Sequence, residues 1–295
     1  YKKPIDQSKE NMLLKSMGFL KNKAKTLEDI WNNAQYIIND KIEIGADDKK
    51  LIDDLSKKVI NDFISEYEKL SSLSREDLDR FALSSHQKAA AAVEGKHFDR
   101  EILPVQAKNE EGKTDMVLND EGIRYDASLE ALSGLNPISE GGVITAGNAS
   151  QITDGAAAVM ICNDEGLKKI KADPRARIKG ISVVGDDPVI MLSGPIPASR
   201  QVLNATNLSI NDIDLYEVNE AFAPVPLSWA IELKADIEKL NVNGGAMALG
   251  HPLGASGAKL MTTLLHELER TKGKYGLQAI CEGGGTANAT IIERI

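Results

Sequence analysis

From about residue 174 to the end of the chain, apolar residues follow two alternating patterns. Short apolar runs are typical of buried strands, and stretches with apolar residues three or four positions apart are typical of amphipathic helices. The predicted order is strand 178–184, helix 199–207, strand 214–218, helix 223–234, a long helix ending at Arg270, a strand ending at Cys281, and strand 287–292. Strands separated by helices indicate an α/β fold, with a mixed sheet covered by helices on both faces.

The first part of the chain has a different pattern. Residues 1–70 are polar and carry apolar residues at helical spacing, so we predict a mostly helical N-terminal segment. The composition changes near residues 70–74. There, the capping box Ser74-Arg-Glu-Asp77 predicts the start of a further helix.

The sequence also predicts whether two features in the middle of the chain, His86 and the run 156–162, are exposed or buried. His86 lies near the middle of the helix predicted after Ser74, and we expect it to be exposed, without a chemical role. The apolar run 156–162 has the length and composition of a buried strand. Cys162 belongs to that run, and we interpret it as a small core residue rather than a reactive thiol.

The charge is unevenly distributed along the chain. The net charge is −9, yet residues 1–70 contain 13 basic and 13 acidic residues and are neutral overall. An acidic main body argues against non-specific binding to nucleic acid. A small anionic ligand could still bind through backbone amides and a few lysines. Two cysteines and no long apolar run favour a reducing, cytoplasmic setting without a membrane span, and we predict no metal site.

The last fifty-odd residues contain a histidine and a cysteine, each within a run of small residues. Glycine lets the backbone approach a ligand closely and leaves amide N–H groups open for use. His251 precedes an apolar helical pattern, so its imidazole would lie near a helix N-terminus, where the neutral form is favoured. A neutral imidazole near the Cys281 thiol suits acyl transfer to and from sulfur. Either residue alone would more often be structural, but Asn219-Glu-Ala-Phe222 upstream favours the functional interpretation.

Six short motifs follow one another from about residue 74 to the end of the chain. They are Thr145-Ala-Gly-Asn-Ala-Ser150, Gly194-Pro-Ile-Pro-Ala198, Asn219-Glu-Ala-Phe222, Asn241-Val-Asn-Gly-Gly245, Gly250-His-Pro-Leu-Gly254 and Cys281-Glu-Gly-Gly-Gly285. In this order they resemble the second part of a thiolase, either an acetyl-CoA acetyltransferase or a 3-ketoacyl-CoA thiolase. The resemblance implies that residues 71–172 are a thiolase-like loop region with a remnant of the first thiolase domain. Residues 173–295 would form the C-terminal domain, and residues 1–70 are unlike a thiolase.

The resemblance also implies a role for each motif. His251 would activate the thiol that accepts the acyl group and, with a water held by Asn219, hydrogen-bond the thioester oxygen. Cys281 would be the general acid or base at the α-carbon, and the Gly283 amide would contribute to a second oxyanion hole. Cys281 can act as a base only if its pKa is lowered, which His251 and nearby amides could do. Coenzyme A would be a substrate, with no other cofactor, and its contacts are expected from Ser150, Ala146, Ala149, Ala221 and Phe222.

One part of the family pattern is missing. Thiolases carry a nucleophilic cysteine in an N-terminal domain, and Cys162, the only other cysteine, does not match that position. The acyl carrier would then come from a partner chain or from sequence outside this chain. The alternative is a non-catalytic hybrid or truncated thiolase that at most binds coenzyme A. In either case residues 151–172 would lack their family strand partners and expose apolar surface, so we expect a homo-oligomer or a partner chain.

Residues 14–38 show a second, short resemblance, to the helical anticodon-binding end of bacterial glutamyl-tRNA synthetases. It includes nothing of the ATP-binding or aminoacylation domain of that family, so tRNA charging is not predicted. A helical RNA-binding appendage is an alternative for residues 1–70, although their neutral charge argues against it.

Overall fold

The computed structural model describes residues 73–108, 112–139, 141–188 and 190–295. The helices predicted within residues 1–70 lie outside these ranges. The α-helices are α1 Arg75–Glu94, α2 Leu129–Ser133, α3 Asp164–Ile170, α4 Pro195–Thr206, α5 Pro224–Leu233, α6 Ala246–Leu249 and α7 Ser256–Thr271. The strands are β1 Val105–Lys108, β2 Thr114–Val117, β3 Ala176–Gly185, β4 Leu215–Val218, β5 Tyr275–Cys281 and β6 Thr286–Arg294. None of the helices in these ranges is long and apolar enough to span a membrane.

The main sheet has four strands in the order β3-β6-β5-β4. β6 pairs antiparallel with both β3 and β5, whereas β5 pairs parallel with β4. A parallel pair needs a crossover connection, and the chain between β4 and β5 forms α5, α6 and α7. The predicted α/β fold, with its alternation of strands and helices after residue 174, is confirmed. A separate two-stranded hairpin, β1 and β2, precedes this sheet along the chain.

Two apolar cores hold the sheet between its helices. On one face Trp229 of α5 is fully buried, edge-on to Tyr216 of β4, with 5.2 Å between the ring centroids. The Trp229 Nε1 donates to Ser199 Oγ of α4 at 2.8 Å, so the two helices on this face are linked. On the other face, Leu264 and Leu268 of α7 are fully buried in a second core. These cores hold β4 and β5 in place, and the candidate residues Asn219 and Cys281 lie at the ends of these strands.

Prolines explain where two of the helices begin. α5 begins at Pro224, as expected for a proline in the first turn, where its missing N–H has no helical partner to lose. α4 begins at Pro195 for the same reason, four residues before the predicted start at residue 199. Both helices therefore start from a proline, although only the first of these starts was predicted.

α1 begins at the predicted capping box. Ser74 Oγ accepts from Asp77 N at 3.2 Å, and Ser74 N donates to Asp77 Oδ2 at 2.8 Å. The expectation that His86 is exposed is wrong. His86 is buried, and its Nδ1 accepts a hydrogen bond from Arg124 N at 3.1 Å. The buried residues of α1 recur every three or four positions, His86 falls within that series, and a segment nearly forty residues later covers it.

The prediction of a buried strand at residues 156–162 is also wrong. Residues 151–163 have no regular secondary structure, and Met160 and Ile161 are 77% and 72% exposed. Cys162 is exposed as well, so it is not a core residue. No strand in the described ranges pairs with this run, and a strand is buried only when neighbours bond its edges and cover its faces. The expected exposure of apolar surface here is confirmed.

Candidate active site

The three candidate catalytic side chains come together at one end of the main sheet. β4 and β5 are parallel neighbours, so their carboxyl ends lie at the same edge. Asn219 directly follows β4, and its N–H donates to Ala279 O at 3.0 Å. Cys281 is the last residue of β5. His251 lies between α6 and α7, and its N–H donates to Gln151 O at 3.0 Å, so the predicted placement at strand ends and helix starts is confirmed.

Hydrogen bonds determine the tautomer of His251. Ser256 Oγ donates to Pro252 O at 3.0 Å, so it accepts from His251 Nδ1, 2.6 Å away. The proton is therefore on Nδ1, and Nε2 keeps the lone pair that a base needs. Burial lowers the pKa of His251, which favours the neutral form at neutral pH. The neutral imidazole was predicted from the helix dipole, whereas burial is its cause here. Ser256 was not predicted to contribute.

Asn219 connects the histidine to the cysteine. Its Nδ2 lies 3.4 Å from His251 Nε2, and its side chain is placed to lower the pKa of Cys281 in part. Asn219 is almost completely buried, and its Oδ1 has no hydrogen-bond partner among the described residues. A buried acceptor of this kind suits a bound water or a donor group on a ligand. His251 and Cys281 therefore share one polar neighbour with a spare acceptor.

The environment of Cys281 does not activate its thiol. Burial raises the pKa of Cys281 to about 12, and the hydrogen bonds from Asn219 and from the backbone only partly oppose this rise. The expectation of a lowered pKa is therefore wrong for the described residues. The thiol is protonated at neutral pH, which is the form that can donate a proton.

A tight glycine turn follows Cys281. Gly283–Gly285 forms a single 3₁₀ turn. Gly285 has a φ of 79°, and a Cβ at this position would lie 2.7 Å from Asp186 O, so only glycine fits without movement. Gly283 is exposed, and no atom lies within 4 Å of the position that its Cβ would take. The turn thus leaves open space beside Gly283, the residue whose amide is predicted to contribute to an oxyanion hole.

Four of the five residues predicted to contact coenzyme A lie on two segments that pair with each other. Ala149 forms an isolated β-bridge with Phe222, and Ser150 N donates to Ala221 O at 3.0 Å. Because Ala221 and Phe222 closely follow Asn219 along the chain, this pairing places the 146–150 loop beside the candidate catalytic residues.

An open cleft of about 380 Å³ lies beside the same loop. It is lined by His86, Arg124, Asp126, Ala127, Ser128, Ala131, Leu132, Leu135, Ala146, Gly147, Gln151 and Met247. Ala146 is the fifth predicted contact to coenzyme A, and Arg124 adds a positive charge that suits an anionic ligand. Sequence reasoning missed Arg124 and Gln151, because no local pattern distinguishes them from other loop residues.

A largely buried ion pair holds two walls of this cleft together. Arg75 Nε lies 2.6 Å from Asp79 Oδ2, and Arg75 Nη2 donates to Leu132 O in α2 at 2.6 Å. Asp79 Oδ1 accepts from Asn148 Nδ2 at 2.9 Å. Asn148 Oδ1 in turn accepts from Thr145 N at 2.8 Å. One carboxylate on α1 therefore positions both α2 and the 145–150 loop.

Gln151 ties the cleft to the histidine. The side-chain Nε2 of Gln151 donates to Gly122 O and to Met247 O, both at 2.7 Å. Its backbone carbonyl oxygen accepts from His251 N. Gln151 therefore links the cleft wall to the His251 loop. No group of three His, Cys, Asp or Glu side chains in the described ranges is arranged to hold a metal ion.

Two family descriptions match this chain. "Thiolase, C-terminal domain" matches residues 172–294, and "Thiolase, N-terminal domain" matches residues 35–165. The second match begins before the composition change near residues 70–74, in a part of the chain outside the described ranges. These matches lend no support to the resemblance of residues 14–38 to a tRNA synthetase.

The curated relatives match about three quarters of this chain, but the match covers only about half of their own length. The steroid 3-ketoacyl-CoA thiolase FadA6 of Mycobacterium tuberculosis is 55% identical over 223 residues, which are 76% of this chain and 53% of that protein. The mitochondrial 3-ketoacyl-CoA thiolase of Bos taurus is 48% identical over 222 residues, 75% of this chain and 56% of that protein. The chain therefore spans about half the length of these curated relatives.

Solved structures show the same fold. The Bacillus anthracis acetyl-CoA acetyltransferase matches with a TM-score of 0.77 at 40% identity, over 80% of this chain and 60% of that chain. Human mitochondrial 3-ketoacyl-CoA thiolase in complex with CoA matches with a TM-score of 0.73 at 42% identity, over 80% of this chain and 59% of that chain.

Proposed function

Because this chain belongs to the thiolase family, we propose that it acts on acyl-CoA thioesters. The proposed reaction is the thiolytic cleavage of a 3-ketoacyl-CoA or its reverse, the Claisen condensation. The names of the relatives support this choice, since they are 3-ketoacyl-CoA thiolases and an acetyl-CoA acetyltransferase. Coenzyme A is a substrate in this proposal, and no other cofactor is required.

The main support for the proposal is the position of the Asn219 side chain, which lies at hydrogen-bond distance from His251 and lowers the pKa of Cys281 in part. In cleavage, an acyl-accepting thiol transfers its proton to His251 Nε2 and attacks the keto carbonyl of the substrate. The bond to the α-carbon then breaks, and its electron pair stays on that carbon as acetyl-CoA leaves. Cys281, which is protonated at neutral pH, supplies the proton to the α-carbon. The thiol of coenzyme A then gives its proton to the Cys281 thiolate and attacks the acyl group, and His251 returns its proton to the released acyl-accepting thiol.

Stabilisation of the oxyanions is assigned to groups beside this pair. Asn219 Oδ1 is free to hold a water, which with His251 would hydrogen-bond the thioester oxygen. The amide of Gly283, an exposed residue, would serve the second oxyanion next to Cys281. Both groups lie at the carboxyl edge of the sheet, where the acyl group must be bound.

The acyl-accepting thiol is supplied from elsewhere in this proposal. Cys281 has a raised pKa and handles a proton, and Cys162 is exposed on the irregular segment 151–163. A partner chain, or a further segment of a longer protein, would therefore provide the nucleophile. The pantetheine arm of coenzyme A would lie along Ala146, Ala149 and Ser150.

The decisive experiment measures acetoacetyl-CoA thiolysis by the purified chain, alone and mixed with a thiolase N-terminal half that carries the nucleophilic cysteine. We expect turnover only in the mixture. His251→Ala should lower the rate about 10²–10⁴-fold, because the base is removed. His266→Gln, a change in another partly buried histidine whose Nδ1 bonds Thr262 O, is the matched control and should leave the rate unchanged. Absence of turnover in every mixture would contradict the proposal.

The second candidate function is coenzyme A binding without catalysis. The raised pKa of Cys281 favours it, because the charged group that acts on this thiol is the anionic Glu282, which raises the pKa further. Under this alternative the chain binds coenzyme A through the cleft near Arg124, and no mixture turns over substrate. Fluorescence or calorimetric titration with coenzyme A, combined with the thiolysis assay, separates the two functions.

We further propose that the chain assembles as a homo-oligomer or with a partner chain, and that it works in the cytoplasm. The exposed apolar side chains of segment 151–163 support assembly, since large exposed apolar patches mark interaction surfaces. Light scattering coupled to size-exclusion chromatography tests the assembly, and a monomer at all concentrations would contradict it. Cell fractionation tests the location.

A further inference from the structure

Two buried side chains on neighbouring strands each carry an oxygen atom without a hydrogen-bond partner. They are Glu217 of β4 and Gln278 of β5, which are only 2% and 4% exposed. Glu217 Oε2 and Gln278 Oε1 have no partner among the described residues. Buried polar atoms are almost always bonded, so two unbonded oxygens at neighbouring positions require an explanation.

The two side chains lie on the same face of the sheet. Glu217 and Gln278 are register partners in the parallel pair of β4 and β5. Their neighbours in sequence, Val218 and Ala279, belong to the core on the opposite face. Gly257 of α7 lies over the pair, because a Cβ added there would be 3.9 Å from Gln278 Nε2. The two residues therefore lie side by side on the sheet face that α7 covers.

The surrounding charges disfavour a carboxylate at Glu217. The charged groups that act on it are Glu220 after β4, Glu101 from the segment after α1, and Lys259 and Glu267 from α7. Only Lys259 among these is positive. Burial and the acidic neighbours raise the pKa of Glu217 well above its usual value.

We propose that Glu217 is a neutral carboxylic acid whose Oε2–H donates a hydrogen bond to Gln278 Oε1. Two acceptors cannot bond to each other, but one proton between them satisfies both atoms. The bond would join β4 to β5 two residues before Asn219 and three residues before Cys281. Glu217 is thus a positioning residue that holds the spacing of these two strand ends. The protonation itself does not depend on the proposed function; its importance for acyl transfer does.

Glu220 provides a matched control on the same stretch of chain. It is 1% exposed, yet its carboxylate is fully bonded. Its Oε2 accepts from Ser85 Oγ at 2.7 Å and from Met247 N at 3.1 Å, and its Oε1 accepts from Asn241 Nδ2 at 2.8 Å. Burial raises the pKa of Glu220 too, but these three donors oppose the rise.

Infrared spectroscopy of the whole chain tests the protonation directly. At about pH 8, where ordinary glutamates are ionised, wild type should show the C=O stretching band of an un-ionised carboxylic acid. The band should be absent from Glu217→Gln and present in Glu220→Gln. If Glu217→Gln removes no such band, Glu217 is ionised and accepts from a reversed Gln278 amide, and the proposal is overturned.

Thermal unfolding and hydrogen exchange test the positioning role. Because the folded pKa of Glu217 is raised, its stabilising contribution is lost as pH rises from the unfolded pKa of about 4.5 toward the folded value. Glu217→Gln keeps a donor for Gln278 Oε1 without this loss, so its Tm should equal or exceed that of wild type at about pH 8. Glu217→Leu should lower the Tm and speed exchange of the Asn219 amide, which Glu217→Gln should leave protected. A Glu217→Gln protein with a lower Tm and a faster-exchanging Asn219 amide would contradict the role.

Discussion

Two apolar stretches of this chain, both predicted as strands from their composition, differ completely in their surroundings. β6 lies between β3 and β5, and its alternate residues are fully buried. The run 156–162 is similarly apolar, yet it is irregular and its larger side chains face solvent. An apolar run therefore forms a buried strand only when neighbouring strands bond its edges and helices cover its faces.

The edge strand β3 is an intermediate case. It is bonded to β6 on one side only, and its Ser182 is buried beneath α4, where it donates to Ala198 O at 2.7 Å. On the opposite face Ile181 and Val183 are 59% and 69% exposed. The covered part of the sheet therefore ends at β6 on that face. The candidate site lies on the best covered strands, β4 and β5.

The largest difference in the free energy of unfolding is expected between a variant in the covered sheet and a variant in the exposed segment 151–163. Trp229→Ala should lower the free energy of unfolding by about 3–5 kcal/mol, because it empties a fully buried site. Met160→Ala should change it by less than about 0.5 kcal/mol, because its side chain is exposed. Urea unfolding followed by circular dichroism measures both. Similar losses in the two variants would show that the 151–163 segment is packed in solution.

The next effect concerns the ion pair that holds the cleft. Asp79→Asn should lower the free energy of unfolding by about 3 kcal/mol, because it leaves Arg75 with no buried counter-charge. It should also weaken coenzyme A binding, since Asn148 and α2 lose a common anchor. Glu76→Gln, which breaks the exposed pair with Arg80 on the same helix, should cost less than about 0.5 kcal/mol. Equal effects in the two variants would refute a positioning role for Asp79.

A smaller effect is expected in the glycine turn after Cys281. Gly285→Ala should cost about 1–3 kcal/mol, because an alanine would be strained at this positive φ and would contact Asp186 O. Gly283→Ala should change stability by less than about 0.5 kcal/mol, because no atom lies near the added methyl group. Thermal unfolding of both variants is the measurement. A larger loss for Gly283→Ala would mean that the turn differs from the one described.

The smallest effect is a pH dependence. Burial lowers the folded pKa of His251, so the unfolded chain takes up its proton first as pH falls below about 6.5. The stability contribution is therefore present above that pH and is lost as pH falls toward the folded pKa. His251→Gln should flatten the fall in Tm between about pH 7 and pH 5. An unchanged slope would indicate that the pKa of His251 is the same in the folded and unfolded chain.

Most of the main sheet could be predicted because each element carries its own signal. Pro224 marks the start of α5, and the strands at 214–218 and 287–292 are short apolar runs. The site at the sheet edge followed from the same reasoning, because Asn219 and Cys281 end parallel neighbours. These inferences need only local sequence and one rule of topology.

The remaining features depend on residues that are distant in sequence. His86 is covered by the segment around Arg124, and His251 is oriented by Ser256 and held by Gln151. The pKa of Cys281 is set by its burial, which no local pattern encodes. Each of these properties arises only once the chain has folded, so no motif could indicate them.

In the proposed reaction Cys281 transfers a proton and does not carry the acyl group. Incubation with isotope-labelled acetyl-CoA, followed by peptide mass analysis, tests it most directly. We expect no acetyl group on Cys281 or Cys162, and an acetyl thioester on the nucleophilic cysteine of an added thiolase N-terminal half. A stable acetyl thioester on Cys281 would contradict it.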